Sequence, residues 1–145
     1  MSADTQTIRL EIDSVIERLD LVQLVTDHVG RTAGLDEEAL YSFGMAVREC
    51  VANAILHGNG GKSAAVVSME FTMAPGSNPS EIIVRVRDRG EGFDPNLIPD
   101  PLAPENILRT SGRGVFLMRQ YMDDVSIEQT HEGGTEVRMT KRIPS

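Results

Sequence analysis

A carboxylate and a carboxamide stand four residues apart, at Glu49 and Asn53, in a segment with helical hydrophobic periodicity. Residues four apart share one face of a helix, so we expect both side chains to project together, away from the apolar stripe that contains Val47 and Cys50. His57 continues this row. Such oxygen donors suit a hard cation, and a carboxylate can orient a hydroxyl or a water. A solvated polar helix face has the same spacing, so the pair alone leaves both interpretations open.

A further carboxylate, Asp88, is followed by the two glycines Gly90 and Gly92. Asp88 has the same parity as Val84 and Val86 in the strand before it, so the alternation predicts a carboxylate on the buried face of the sheet. An ionised group there is costly unless it is hydrogen-bonded, and the glycines let the backbone turn sharply or approach a ligand. An aspartate that caps its own turn is the alternative.

A third candidate, Ser111-Gly112-Arg113-Gly114, directly precedes a predicted helix. Free backbone N–H groups and the positive end of the helix dipole favour an anion there, and Arg113 can add a charge-assisted hydrogen bond to phosphate. A lid hinge that ends in a helix N-cap fits the same residues. Thr135 shares inward parity with Val137 on the last strand. Taken together, the three candidates and Thr135 predict a nucleotide pocket.

Other signatures fail on their spacing or context. Gly61-Lys62-Ser63 lacks the first glycine of a P-loop and follows a helix instead of a strand. Gly90-Glu91-Gly92 lacks the third glycine of a dinucleotide fingerprint. The three histidines are scattered without metal-ligand spacing, and Cys50 on its apolar stripe is expected to be a small buried hydrophobe instead of a reactive thiol.

The elements that must position these residues follow from hydrophobic periodicity. The pattern predicts strands at about 8–12, 65–73, 82–86, 125–129 and 135–141 and helices at about 14–33, 36–57 and 114–122. The first helix carries an apolar stripe from Ile16 to Val29 and is expected to stop at Gly34, and the second is expected to open at the N-cap Asp36. This order predicts a two-layer α/β sandwich with a mixed, largely antiparallel sheet and helices on one face.

The composition and net charge of the chain limit the classes of function that it can have. The 145 residues contain 14 Lys and Arg against 22 Asp and Glu, a net charge of −8 that disfavours direct binding to nucleic acid or to an anionic membrane. No apolar stretch reaches the length of a membrane span or of a signal peptide core, and a single cysteine fits a reducing compartment. We therefore expect one cytoplasmic domain over residues 1–145.

The candidate motifs, taken in order, resemble the ATP-binding boxes of the GHKL (Bergerat-fold) superfamily. The boxes are Glu49-x-x-x-Asn53, Asp88-x-Gly90-x-Gly92, Gly112-x-Gly114 and Gly134-Thr135. Within the superfamily the chain is similar to bacterial anti-sigma factor serine-protein kinases of the RsbW and SpoIIAB type. The segments that carry this similarity are Asn53-Ala54-Ile55-x-His57-Gly58, Gly90-x-Gly92-Phe93-Asp94-Pro95 and Met118-x-x-Tyr121-Met122-Asp123-Asp124-Val125.

The resemblance implies a role for each matching residue. Asp88 would accept a hydrogen bond from the adenine amino group, with Thr135 supporting it through a water. Asn53 would coordinate a Mg²⁺ ion that bridges the phosphates of ATP, and Glu49 would act as the catalytic base or orient the attacking serine hydroxyl.

The glycine-rich boxes have implied roles as well. Gly90 and Gly92 would let the chain pass close to the nucleotide. Gly112, Arg113 and Gly114 would hold the phosphates from a lid at about 94–111, a stretch without sustained periodicity.

The resemblance also implies a function and partners. Such proteins sequester a sigma factor, or phosphorylate a serine on a STAS-domain anti-sigma-antagonist, and thereby switch partners to regulate transcription, for example under stress; homodimers are common among them. The alternative is a non-catalytic ATP-binding module that holds a partner protein without phosphoryl transfer.

Overall fold

The computed structural model of the chain describes residues 5–58, 66–75, 80–89, 118–130 and 134–143. Several predicted features lie outside these ranges: the glycines at 90 and 92, the lid at 94–111, the phosphate loop at 112–114 and the start of the third helix. The side chain of His57 is likewise outside the description. Residues 118–121 are helical, in agreement with the end of the predicted third helix.

Among the described residues, five strands form one sheet. They are β1 (Gln6–Asp13), β2 (Val66–Ala74), β3 (Glu81–Arg87), β4 (Asp124–Gln129) and β5 (Thr135–Arg142). Their order across the sheet is β1-β2-β3-β5-β4, and each neighbouring pair is antiparallel. The two-layer prediction is confirmed, and the sheet of the described residues is antiparallel throughout instead of mixed.

Within the described ranges, the second layer contains the helices α1 (Leu19–Ala33) and α2 (Glu37–Asn53). Gly34 ends α1 with φ of 93°, a left-handed conformation that favours glycine, so the predicted stop is confirmed. The Asp36 carboxylate accepts a hydrogen bond from the backbone N–H of Ala39 at 2.8 Å and caps α2 as predicted.

The start of α1 differs from the prediction. Val15 keeps an extended backbone (φ −126°, ψ 140°), and a 3₁₀ turn at Ile16–Arg18 precedes the helix. Ile16 is 43% exposed and does not belong to the buried stripe, which begins at Leu19. The chain needs these residues to leave β1 and enter the helix layer, and periodicity alone does not register that turn.

The core lies between the helices and one face of the sheet. Alternate residues of the central strands are buried: Val67, Met69, Phe71, Met73, Ile82, Val84, Val86, Val137 and Met139. The helices contribute, among others, Val22, Val29, Phe43, Val47, Cys50 and Val51. The opposite face of the sheet is polar, as the ion pairs of Glu70 with Arg9 (3.1 Å) and Arg85 (3.3 Å) illustrate. The inward alternation of β3 continues to Asp88, which directs that carboxyl group toward the helix layer.

In the part of the chain that the structure describes, neither helix is long and apolar enough to span a membrane.

Candidate functional site

Asp88 and Thr135 are neighbours at one end of the sheet, where β3 ends and β5 begins. Both are buried, with 4% and 1% of their surface exposed, as their parity predicts. The backbone N–H of Asp88 donates to the carbonyl oxygen of Thr135 at 3.0 Å, and the backbone N–H of Thr135 donates to Oδ1 of Asp88 at 3.2 Å. The direction of the carboxylate is therefore set by the backbone of the neighbouring strand.

Gly134 allows this arrangement because the two strands come very close there. A Cβ atom at residue 134 would overlap the carbonyl oxygen of Asp88 and lie 3.0 Å from its carbonyl carbon and 3.2 Å from the Cα of Arg89. Only glycine fits without displacing the backbone. The sequence offers Gly134 only as part of a resembling motif, and no local pattern signals this close approach of the two strands.

Asn53, the last residue of α2, lies on the same pocket as Asp88. This small pocket is lined by Cys50, Asn53, Ala54, Val86, Asp88, Met118, Ile127 and Val137. The walls are therefore mostly apolar, with one carboxylate and one carboxamide among them. A flat, apolar ring that carries a hydrogen-bond donor matches such a lining, because few polar groups fix its orientation.

The helix changes geometry next to Asn53. Residues Ala54–Gly58 continue α2 as a single π-helical turn, whereas the sequence predicts an ordinary helix up to the glycines. π-Helical turns are rare in proteins, and those that occur are often found at functional sites. The expected continuation of the Glu49 and Asn53 row to the side chain of His57 lies outside the described residues.

Glu49 precedes Asn53 by one helical turn, about 6 Å along the axis of α2. Its side chain is partly buried and does not line the pocket. Asn53 and Cys50 both line the pocket, so the edge of the apolar stripe of α2 also contributes to its wall.

Cys50 contributes a neutral thiol to the pocket. The residue is 1% exposed, and burial raises the pKa of its thiol well above the ordinary value, with the negative charge of Asp88 adding to the shift. A thiol that keeps its proton is a poor nucleophile. Its predicted role as a small buried hydrophobe is confirmed.

Within the described ranges, no group of three or more His, Cys, Asp or Glu side chains could hold a metal ion.

Comparisons with known proteins show which family the chain is similar to. The histidine kinase-like ATPase domain family (HATPase_c_2) matches residues 12–141. An anti-sigma F factor of Clostridium botulinum is 32% identical over 100 residues, which is 68% of this chain and 67% of that protein. A serine-protein kinase RsbW of Listeria monocytogenes is 28% identical over 142 residues, which is 94% of this chain and 87% of that protein.

A solved structure supports the fold. The crystal structure of RsbU and RsbW domains from Mycobacterium tuberculosis superposes with a TM-score of 0.66 at 18% identity. The match covers 94% of this chain, which spans about a third, 32%, of that longer chain. Because the matching family is one of ATPase domains, the ligand expected of this domain is ATP. The chain belongs to the histidine kinase-like ATPase domain family and, within it, to the RsbW-like group of anti-sigma factor serine kinases.

Proposed function

We propose that this chain is an ATP-dependent serine-protein kinase and anti-sigma factor. It sequesters a sigma factor, acts as a homodimer, and phosphorylates a serine on a STAS-domain anti-sigma-antagonist. The observation that carries the proposal is the buried Asp88 carboxylate, oriented by the Thr135 N–H at 3.2 Å, in a largely apolar pocket that also contains Asn53.

Asp88 recognises the adenine base. A carboxylate has two oxygens and about four lone-pair sites, so it can accept a hydrogen bond from Thr135 and another from the exocyclic amino group of adenine. Val86, Ile127 and Val137 provide apolar contacts for the ring. A hydroxyl at Thr135 supports the same edge of the base through a water.

Asn53 holds the Mg²⁺ ion. Magnesium prefers octahedral oxygen ligands, keeps several waters and commonly takes only one or two protein ligands together with substrate phosphates. A single carboxamide at the end of α2 therefore fits the ion. When bound, Mg²⁺ neutralises charge on the phosphates of ATP.

Glu49, which lies one helical turn before Asn53, assists the transfer of the phosphoryl group. The serine Oγ attacks the γ-phosphorus, the bond from that phosphorus to the β–γ bridging oxygen breaks, and ADP leaves. Glu49 accepts or orients the proton of the serine hydroxyl as the new P–O bond forms. For Gly90, Gly92, Gly112, Arg113, Gly114 and the lid at 94–111, the proposed phosphate contacts rest on the sequence resemblance alone.

The partners follow from the relatives. Curated relatives at 28–32% identity are named anti-sigma F factor and serine-protein kinase RsbW. Their names support sigma-factor binding and serine phosphorylation here, while the STAS-domain antagonist and the homodimer are part of our proposal.

The test is transfer of radiolabel from γ-labelled ATP to a STAS-domain antagonist encoded beside this chain. Glu49→Ala is expected to lower the transfer rate by about 10²–10⁴-fold, the usual effect of losing a general base, with ATP binding retained. Glu38→Ala is the matched control, because this exposed glutamate lies at the far end of the same helix.

Three outcomes would count against parts of the proposal. Undiminished transfer by Glu49→Ala would remove Glu49 from the catalytic step. ATP binding without any transfer by the unmodified chain would favour the non-catalytic binding module. Absence of both would contradict the kinase function altogether.

A further inference from the structure

Arg87 and Glu136 lie directly opposite each other on the polar face of the sheet, where the β3–β5 ladder ends. Nη2 of Arg87 donates to Oε1 of Glu136 at 2.7 Å, a short distance that is typical of a charge-assisted hydrogen bond. Of the ion pairs between described residues, this one has the shortest N···O distance. Neither side chain lines the pocket that contains Asp88.

Each member of this ion pair is the chain neighbour of a residue that shapes the pocket. Arg87 directly precedes Asp88, and Glu136 directly follows Thr135. Successive side chains of a strand point to opposite faces of the sheet, so the ion pair lies on one face and the Asp88 carboxylate on the other. The two pairs therefore hold the same end of the β3–β5 contact from opposite sides.

The strands need a restraint at this point because they approach each other very closely. A Cβ atom at Gly134 would overlap the carbonyl oxygen of Asp88. The hydrogen bond from the Thr135 N–H to Oδ1 of Asp88 measures 3.2 Å, at the long end of the usual range for N–H···O bonds. A small further separation of β3 and β5 would thus weaken the bond that orients the carboxylate.

The charges in this row of the sheet increase the importance of Arg87. From β1 across to β4, the residues directly opposite one another are Glu11, Ser68, Arg87, Glu136 and Glu128. Glu136 thus lies opposite Glu128, and like charges in this arrangement are destabilising. Arg87 is the single cation among these five residues, and its bond to Glu136 offsets the repulsion beside the start of β5.

We propose that Arg87 and Glu136 are positioning residues for the nucleotide site: their ion pair fixes the separation of β3 and β5 and thereby directs the Asp88 carboxylate toward the base. Both act through Asp88, because their side chains lie on the opposite face of the sheet. This inference rests on the recognition of adenine by Asp88 in the proposed function, and it adds residues that control that recognition.

The exposure of the pair distinguishes a positioning role from a stabilising one. The side chains of Arg87 and Glu136 are 53% and 24% exposed. Exposed ion pairs contribute little to the free energy of unfolding. Removal of this pair is therefore expected to change the melting temperature no more than removal of another ion pair on the same face, while it changes the affinity for the nucleotide.

Isothermal titration of Arg87→Gln with the magnesium complexes of ATP and inosine triphosphate tests the inference. Inosine has an oxo group where adenine has its amino group, so a correctly directed Asp88 carboxylate favours ATP. We expect the unmodified chain to bind ATP more tightly than inosine triphosphate. R87Q is expected to lose about three- to tenfold in affinity for ATP, the effect of one weakened hydrogen bond, and to change little for inosine triphosphate.

Arg85→Gln is the matched control. Arg85 lies on the same strand and the same face, and it forms an ion pair with Glu70 at 3.3 Å, but that pair connects β3 to β2 instead of β5. R85Q is expected to keep the ratio of the two affinities at its unmodified value.

Charge reversal provides the second test. Arg87→Glu and Glu136→Arg each put like charges opposite each other and are expected to lower the preference for ATP at least as much as R87Q does. The double variant, R87E with E136R, restores opposite charges between β3 and β5, and its new cation also lies opposite Glu128. It is expected to recover most of the preference.

The outcomes separate the inference from the proposed function. An unchanged preference for ATP in R87Q and in both single reversals would overturn the positioning role and leave Asp88 as the residue that recognises the base. Equal losses of affinity for the two nucleotides would also overturn it, because a general loosening of the site weakens both. Equal binding of the two nucleotides by the unmodified chain would contradict recognition of the amino group by Asp88, and the inference would fall with it.

Discussion

Asp88 and Thr135 hold each other through two hydrogen bonds between neighbouring strands. The Asp88 N–H donates to the Thr135 carbonyl at 3.0 Å, and the Thr135 N–H donates back to Oδ1 of Asp88 at 3.2 Å. One bond extends the β3–β5 ladder, and the other fixes a side chain. The carboxylate is therefore oriented before any ligand arrives, which lowers the entropy lost when a nucleotide binds.

Gly134→Ala tests whether this orientation depends on the close approach of the strands. The added Cβ would overlap the carbonyl oxygen of Asp88, so the backbone must move and the bond to Oδ1 is lost or lengthened. We expect a melting temperature several degrees lower and ATP affinity reduced at least about tenfold, the effect of one charge-assisted hydrogen bond. Isothermal titration with Mg·ATP measures the affinity. An unchanged affinity would show that the Asp88 geometry survives the substitution.

Asp88→Asn separates charge from shape in the same pocket. The carboxamide keeps an oxygen for the Thr135 N–H, so the fold should persist, but it accepts fewer hydrogen bonds and carries no charge. Mg·ATP at about 100 times its Kd stabilises a folded protein by about 2.7 kcal/mol, which raises the melting temperature. In D88N this thermal shift should disappear. Asp124→Asn, an exposed aspartate at the start of β4, is the control and should retain the shift. An intact shift in D88N would remove Asp88 from base recognition.

Asn53→Ala tests the metal role. Because Asn53 is proposed to act through Mg²⁺, the variant should bind ATP more weakly than the unmodified chain when Mg²⁺ is present and equally when EDTA is added. The measurement is titration of both proteins with ATP under the two conditions. Equal losses with and without EDTA would indicate a direct contact to the nucleotide or a structural role.

The burial of Asp88 illustrates what was accessible from the sequence. Strict alternation through Val84 and Val86 fixes the face of the next residue, and the same parity places Thr135 inward, so both positions were predictable. The alternation in the five strands and the helix caps at Gly34 and Asp36 were predictable for the same reason, because each is a local property of the sequence.

Features that depend on contacts between distant segments were not accessible. The overlap that excludes a side chain at Gly134 arises from Asp88, 46 positions earlier, and no local pattern encodes it. The π-helical turn at Ala54–Gly58 and the 3₁₀ turn at Ile16–Arg18 reflect how α2 and α1 meet the sheet, which hydrophobic spacing does not resolve.

Two helical glycines offer a matched pair of stability predictions. A Cβ on Gly44 in α2 would meet nothing within 4 Å, whereas one on Gly30 in α1 would lie 2.5 Å from Cδ1 of Leu40. Gly44→Ala should stabilise the protein by about 0.5–1 kcal/mol through helix propensity, raising the melting temperature by roughly 1–4 °C. Gly30→Ala should destabilise it by about 1–3 kcal/mol through overpacking between the helices.

Calorimetry of the two variants measures the difference. Both changes add the same methyl group in the middle of a helix. Changes of opposite sign in the free energy of unfolding would therefore separate the effect of packing from that of helix propensity. Shifts of the same sign would mean that Leu40 moves aside at little cost.

Cys50 predicts how stability depends on alkaline pH. Its pKa is raised by burial and by Asp88, so the folded protein keeps the proton at pH values where the unfolded chain loses it. Its contribution to stability is therefore fully present below the ordinary thiol pKa of about 8.5 and is lost as pH rises beyond it, by up to about 1.4 kcal/mol per pH unit. Urea unfolding at pH 8, 9 and 10 should give a steeper loss of stability for the unmodified chain than for Cys50→Ala. Parallel losses in the two proteins, or rapid reaction of the native thiol with a disulfide reagent at pH 8, would mean that Cys50 ionises in the folded state.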